Sequence, residues 1–561
     1  MGFGHQRLSI LDLDKRSNQP FFDNDNILVF NGEIYNFDEL KSKYKREGIE
    51  FQTSSDTEVV AKTFSLKKFD KISRFNGMWA LSFYDKKDKK LFLSRDRYGK
   101  KPLFYYLDKD ILCISSTIKA IKEYLNINLV FREKYLLNYL IYGDMFPTDE
   151  ELTHFENIKQ ILPAHNGVFD IKKWKIEQNR YFISPKSDLD KDFSENNLIK
   201  KLKNSVELRL NSDRPIALLL SGGIDSSLIL SILHHYGYDK RVHVFMGDTG
   251  RSDDYKYAKA CVKQLNIKAD TITSDYDTDA FDRFLRICKH HEKAFPFNGN
   301  AIAMSEMYEK VSDFGIPVVL DGSGGDELFG GYWERYIHFA IKEVISNGDV
   351  EWLETIRKSN PNKKEILNHQ TYPHKEFVLK KALNPFLKLS IKQLANIKTL
   401  DPLRNKILGF DEALYLDTAP GGRLGEWIWH NDRNSMASSV ESRSPFLDFE
   451  LHSFIYSGYK NKFSKNWNKY ELRKIFDKFS PIPTQWRAEK QGFRWDGKHF
   501  FYNNKEQIIE VIRKSEVLKE YMNRDLFCNF ADYFPKLFKS SFAKRALGIA
   551  GIEHMMEMKT K

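Results

Sequence analysis

Cysteine is scarce in this sequence: Cys113, Cys261, Cys288 and Cys528 are all that 561 residues hold. They are far apart, with no Cys-x-x-Cys pair and no framework of short spacings, so neither a disulfide scaffold nor a cysteine-rich metal site is indicated. Reduced thiols in a cytosol are the expectation. Long apolar runs are also missing. Nothing approaches the roughly 20 residues of a membrane helix. The opening MGFGHQRLSILDLD carries charges within its first dozen residues, unlike the apolar core and small-residue cleavage site of a signal peptide. A cytoplasmic protein is expected, with no membrane partner. Neither sign of charge is short, at 88 Lys+Arg against 77 Asp+Glu, a net +11. The excess is scattered, mostly as lysine, which indicates a solvated basic surface rather than the concentrated stripe of a nucleic-acid binder.

What is present is a globular composition, 41% hydrophobic and 29% charged, in a chain long enough for several domains of roughly 150 residues each. From Ile27 to Tyr106, short apolar runs alternate with turns (ILVFNGEIYN, GMWALSFYD, KLFLSRD, PLFYY), and a helix is predicted near Asp56 to Phe64. This is a sheet-rich unit with helices laid on it. The segment 182–196 is polar, contains Pro185 and lacks sustained periodicity, so it is read as a linker between units 1–181 and 197–561. Beyond it, PIALLLSGGIDSSLILSIL, RVHVFMGD and IPVVLDGSGGDELFGGY are apolar strands ending in glycine or acidic residues. Their alternation with helical stretches predicts a parallel, doubly wound sheet. Ligands of such sheets sit outside the carboxyl ends of the strands, where these segments fall. From about Trp333 the chain is expected to be mainly helical.

Ser221-Gly222-Gly223-Ile224-Asp225-Ser226-Ser227 follows a buried strand and opens a helix. Two glycines allow close backbone approach to an anion, and hydroxyls and helix amides can donate to phosphate oxygens. No lysine follows the glycines, so this is not a Walker loop. It is similar to the pyrophosphate loop of enzymes that split ATP into AMP and pyrophosphate. A second acidic turn, Asp321-Gly322-Ser323-Gly324-Gly325-Asp326-Glu327, should reach the same sheet edge as Asp225. Two carboxylates facing a triphosphate suit magnesium, although Asp326 is equally suited to capping a helix.

The ordered segments HQRLSILDL, NGEIYNF, SSDTE, RDRYGKKPLFYY, SGGIDSS, DGSGGDELFGGY, HNDRNSMASSVESRSPFLD, KYELRKIF and WRAEKQGF resemble the glutamine-hydrolysing asparagine synthetases over nearly the whole chain. The resemblance implies an Ntn-hydrolase-type α+β amidotransferase sandwich, incomplete here, followed by an α/β pyrophosphate-loop synthetase domain with a helical C-terminal part. It implies that Leu220, Ser221, Gly222, Gly223, Asp225, Ser226, Ser227, Met246, Asp321 and Gly322 hold ATP, and that Asp225 and Asp326 hold Mg2+. Lys490 would stabilise the adenylation transition state, and Arg7, Asn31, Gly32, Glu33 and Asp56 would form a glutamine pocket. The implied partners are small molecules: aspartate or another carboxylate, and glutamine or ammonia. A homodimer is compatible with this reading.

Two departures stand out. Family members begin Met-Cys, and the cysteine attacks glutamine with its own α-amino group as base. This sequence opens at a segment that matches an internal part of the family. The glutaminase half is therefore expected to be inactive as written, leaving ammonia as nitrogen source. A late start codon or truncated gene is the preferred explanation, and genuine loss the alternative. Ser323 stands where asparagine synthetases commonly carry a glutamate, and serine cannot act as a carboxylate base. That leaves amidation of a sugar acid or peptide in surface-polymer synthesis as a second enzymatic reading, with a tRNA-modifying protein or a non-catalytic remnant as others.

Overall fold

The computed structural model describes residues 1–143, 150–183, 194–275, 277–292, 300–359, 384–390, 393, 403, 408–465, 467–487 and 495–558. Period-two patterning organises the first part. On β3 (Gly77–Asp85), Trp79, Leu81 and Phe83 share one core with Leu28 and Phe30 of β2 (Asn26–Ile34) and with Val59, Val60 and Phe64 of the helix Asp56–Ser65. Ala80 points to the other face, where it meets Leu91, Leu93, Tyr105 and Phe169. Alternate side chains thus build two cores from one sheet. That sheet is antiparallel, ordered β1-β2-β3-β4-β8-β9 with β1 Phe21–Asp23, β4 Lys90–Arg95, β8 His165–Asp170 and β9 Lys175–Arg180. A smaller antiparallel sheet, β6-β5-β7 (Leu112–Ser115, Phe104–Leu107, Lys159–Gln160), covers its second face. Helices lie on the first face. The layering is that of an α+β sandwich.

The second part is built on β10 (Ile216–Leu220), whose five residues are all buried. A strand covered on both faces needs no polar alternation. The parallel sheet runs β12-β11-β10-β13-β14, with β11 Val242–Asp248, β12 Ala269–Thr273, β13 Val318–Leu320 and β14 Glu441–Arg443. The strand order reverses between β10 and β13, which opens a crevice at their carboxyl ends.

The structure adds detail at two places. Of the linker, 184–193 lie outside the described residues, and the helix Glu195–Leu208 opens before the expected end at 196. The C-terminal part is mainly helical, yet it supplies β14. Glu-Ser-Arg has no apolar pattern to announce a strand, but it pairs with β13 as Val318↔Glu441 and Leu320↔Arg443, fully buried. All four cysteines are free thiols. Among the described residues no helix is long and apolar enough to cross a membrane.

Candidate active site

At the end of β10 the chain turns through Ser221-Gly222-Gly223 into the helix Ile224–His235. Gly222 has φ +75°, and a Cβ there would stand 2.1 Å from the Asp254 carbonyl oxygen. Only glycine meets both demands, and the turn sits on the start of the helix Asp254–Gln264. Ser226 Oγ accepts from the Ser221 amide at 3.2 Å and lies 3.0 Å from Ser221 Oγ. No side chain caps the Ile224 helix, so its leading amides and dipole face the crevice. Leu220 and Met246 are register partners on adjacent strands. Ser227 is buried away from the other two serines, 4.0 Å from Cys261 Sγ.

The loop after β13 closes against this turn. A Cβ on Gly322 would stand 2.7 Å from Asp225 Cβ, and one on Gly325 would stand 2.4 Å from Asp225 Oδ1. Asp225 and Asp326 converge on a cation that the sequence reading assigned no role. Lys469 Nζ lies 2.6 Å from both oxygens of Asp225 and 2.6 Å from Asp326 Oδ1, with its side chain 2% exposed. Asp326 is not a cap: the helix Gly325–Leu328 has Gly324 at its N-cap, without a side-chain cap. Next to it, Glu327 accepts from the Tyr332 hydroxyl at 2.7 Å, and burial together with Asp326 pushes its carboxyl up to about 7.

Asp321, expected at the nucleotide, turns its carboxylate inward. The Ser323 amide, Asn431 Nδ2 and Ser444 Oγ each donate to it at 2.8 Å, and Ser442 Oγ donates as well. Burial works to raise its pKa, but Lys100 and the hydroxyls of Ser442 and Ser323 hold it below the ordinary value. Its backbone amide donates to the Arg443 carbonyl at 3.0 Å. Ser323 Oγ accepts from Asn431 Nδ2 at 3.1 Å.

Arg7, Asn31, Gly32, Glu33 and Asp56 all line one cavity of about 70 Å³ in the sandwich. Gly32 is required there, since a Cβ would lie 2.0 Å from the Met78 carbonyl oxygen. Arg7 spends its two Nη atoms on the Leu11, Asp12 and Asp14 carbonyls and on Asn18. Asp56 accepts from the Ile34 amide at 2.9 Å. Burial pushes its carboxyl up to about 6, Glu441 adding to the rise. Glu33 is raised by burial and by the charges of Asp56 and Glu441, against Arg443 and Lys101. Glu441 and Lys101 also line the cavity, so β14 of the parallel sheet walls a chamber of the sandwich. None of the four cysteines does. Burial raises all four thiols.

The sequence pattern of the asparagine synthase family matches residues 197–556, and that of a glutamine amidotransferase domain matches residues 1–182. The chain belongs to the asparagine synthase family. Asparagine synthetase [glutamine-hydrolyzing] 1 of Bacillus subtilis is 26% identical over 550 residues, 94% of this chain and 84% of its own length. Asparagine synthetase [glutamine-hydrolyzing] 2 of the same organism is 28% identical over 501 residues, 84% of this chain and 63% of its own length. Amidase chyE of Penicillium rubens is 26% identical over 511 residues, 81% and 74% of the two chains. Membership makes this chain a carbon–nitrogen ligase that carries a glutamine amidotransferase domain, and the family uses ATP.

Lys490 of the family motif lies outside the described residues. The structure adds Arg487 just before it: Nη1 donates to the Gly222 carbonyl at 3.2 Å, Nη2 pairs with Asp254, and the guanidinium lies 3.9 Å from the centre of the Tyr257 ring. Lys469, Arg487, Asn431 and Ser442 all fall in motifs quoted above. Apart from the Asn431–Ser442 bond, 11 positions long, their partners here lie 108 to 265 positions away in sequence, beyond the reach of a local pattern.

Proposed function

We propose that this chain converts a carboxylate to its amide through an acyl-adenylate, with aspartate the first acceptor to test. The reading rests on one observation: the loops after β10 and β13 meet at Asp225, with Asp326 and Lys469 at the same point. In the reaction, an acceptor oxygen attacks the α-phosphorus of ATP, and the bond from that phosphorus to the α,β-bridging oxygen breaks to release pyrophosphate. Ammonia then attacks the acyl carbon, AMP leaves with the carbon–oxygen electron pair, and the nitrogen loses a proton. The Ser221–Ser226 turn and the uncapped helix start would hold phosphate oxygens. Lys469, and Lys490 by family resemblance, would meet the charge that gathers on the leaving pyrophosphate. The two carboxylates fit Mg2+, which takes one or two from protein and completes its shell with water and phosphate. Among the described residues no larger cluster of metal-binding side chains occurs. When bound, magnesium would supply charge neutralisation at the phosphates.

The cavity at Arg7, Asn31, Gly32, Glu33 and Asp56 would take glutamine. No cysteine of these 561 residues lines it, so ammonium salts are the nitrogen source for assays of this chain. Product analysis with ATP, ammonium and aspartate is the test: AMP and pyrophosphate support the reading, ADP and phosphate overturn it.

Ser323 favours a second reading, in which the acceptor is a sugar acid or a peptide. Its hydroxyl is tied to Asn431 and offers no carboxylate to the incoming ammonia. A family relative named as an amidase shows that the family's names extend beyond asparagine synthetase.

A further inference from the structure

We propose that Lys469 is the resident counter-ion of the Asp225–Asp326 pair and keeps divalent cations out of the nucleotide-free site, so that metal enters only with the triphosphate. This rests on reading the two carboxylates as the magnesium pair. An ammonium group has three N–H donors, and Lys469 Nζ has three carboxylate oxygens at 2.6 Å. Its donor capacity is matched where a metal would have to bind. The side chain is almost wholly buried, so water screens the attraction little.

The surroundings fix this geometry. A Cβ on Gly331 would fall 1.8 Å from Asp326 Oδ1 and 2.5 Å from Lys469 Cε, so backbone closes over the ion pair from one side. Gly322 and Gly325 close over Asp225 from another. The Lys469 backbone is held at φ +51° at the start of the helix Tyr470–Ile475. In that helix Glu471 pairs with the buried Lys462, and Arg473 Nη1 donates to the Gln485 and Arg487 carbonyls at 2.7 and 3.0 Å. These bonds hold the anchor in place, and the four-carbon stem keeps the rotatable bonds that a shift of the ammonium toward a phosphate would use. A bare divalent ion would have to displace a buried ammonium already held by three carboxylate oxygens. ATP brings phosphate oxygens that can take the ammonium, and only then are both carboxylates released to a metal.

The test counts Mn2+ retained by the full chain in equilibrium dialysis, with and without ATP. Wild type should hold Mn2+ only when ATP is present. Lys469→Met should bind Mn2+ without nucleotide at least tenfold more tightly than wild type, and adding Asp225→Asn should abolish that gain. Equal nucleotide-free affinity in wild type and Lys469→Met would overturn the proposal. Should Lys469→Met fail to fold, the wild-type melting temperature decides: no response to Mg2+ alone but a rise with Mg2+ plus ATP supports the lock, and a rise with Mg2+ alone overturns it. A wild type that retains no Mn2+ even with ATP would overturn the reading of Asp225 and Asp326 as the metal pair, and the lock with it.

Discussion

Arg487 donates to the Gly222 carbonyl at 3.2 Å while pairing with Asp254, whose own carbonyl sets the space limit at Gly222. One guanidinium therefore holds the turn and the helix on which the turn rests. Arg487→Ala should raise KM for ATP roughly tenfold or more, a loss of about 1.4 kcal/mol or greater. Arg487→Lys should fall between, because an ammonium cannot reproduce the planar fork. Steady-state kinetics in ATP measures both, and an unchanged KM in Arg487→Ala would remove the residue from the loop's support.

Gly331→Ala places a methyl group where Asp326 Oδ1 and Lys469 Cε already stand. Overpacking of this kind costs about 1–3 kcal/mol, and here it falls on the carboxylate read as a metal ligand. Turnover should drop by roughly two orders of magnitude, as for loss of a preorganised charge, with a modest fall in melting temperature. Near-normal turnover would show that the ion pair can shift without consequence.

Asp56 supplies the pH dependence. Its carboxyl is buried and shares its surroundings with Glu441 of β14 and with Glu33 of β2, which in turn faces the counter-charges of Arg443 and Lys101. Its pKa rises from 3.8 to about 6 on folding, so between those values the folded state binds more protons than the unfolded state. Stability then falls as pH rises through that window. At about 1.4 kcal/mol per unit, the loss by pH 7.5 is roughly 2–3 kcal/mol. Asp56→Asn keeps an acceptor for the Ile34 amide and removes the charge. Its denaturation midpoint should change less than that of wild type between pH 4 and 7.5. Parallel curves for the two proteins would contradict the assignment.

For the acceptor, Ser323→Glu should maintain or raise ammonia-dependent asparagine formation if aspartate is the substrate, by restoring a carboxylate worth roughly 10²–10⁴ in rate as a base. An acceptor screen belongs beside it. Pyrophosphate release with another carboxylate, and none with aspartate in either protein, would select the second reading.

The sequence by itself determined the elements whose signals are local. Five apolar residues before Ser-Gly-Gly can only be a buried strand feeding a tight turn, and alternation along GMWALSFYD sets which side chains of β3 face which core. The family resemblance, not any local signal, grouped Arg7, Asn31, Gly32, Glu33 and Asp56, which the fold brings to one cavity. The tertiary structure alone decided that Glu-Ser-Arg is the fifth strand of the parallel sheet. A polar tripeptide becomes a strand only when β13 offers it backbone partners and buried groups receive its side chains: Ser442 bonds Asp321, and Arg443 lies between Glu33 and Glu441. Likewise, three apparently ordinary residues, Lys469, Arg487 and Gly331, became parts of the site because charge and close approach act through space. Residues 487 and 222, 265 positions apart along the chain, are in contact only after folding.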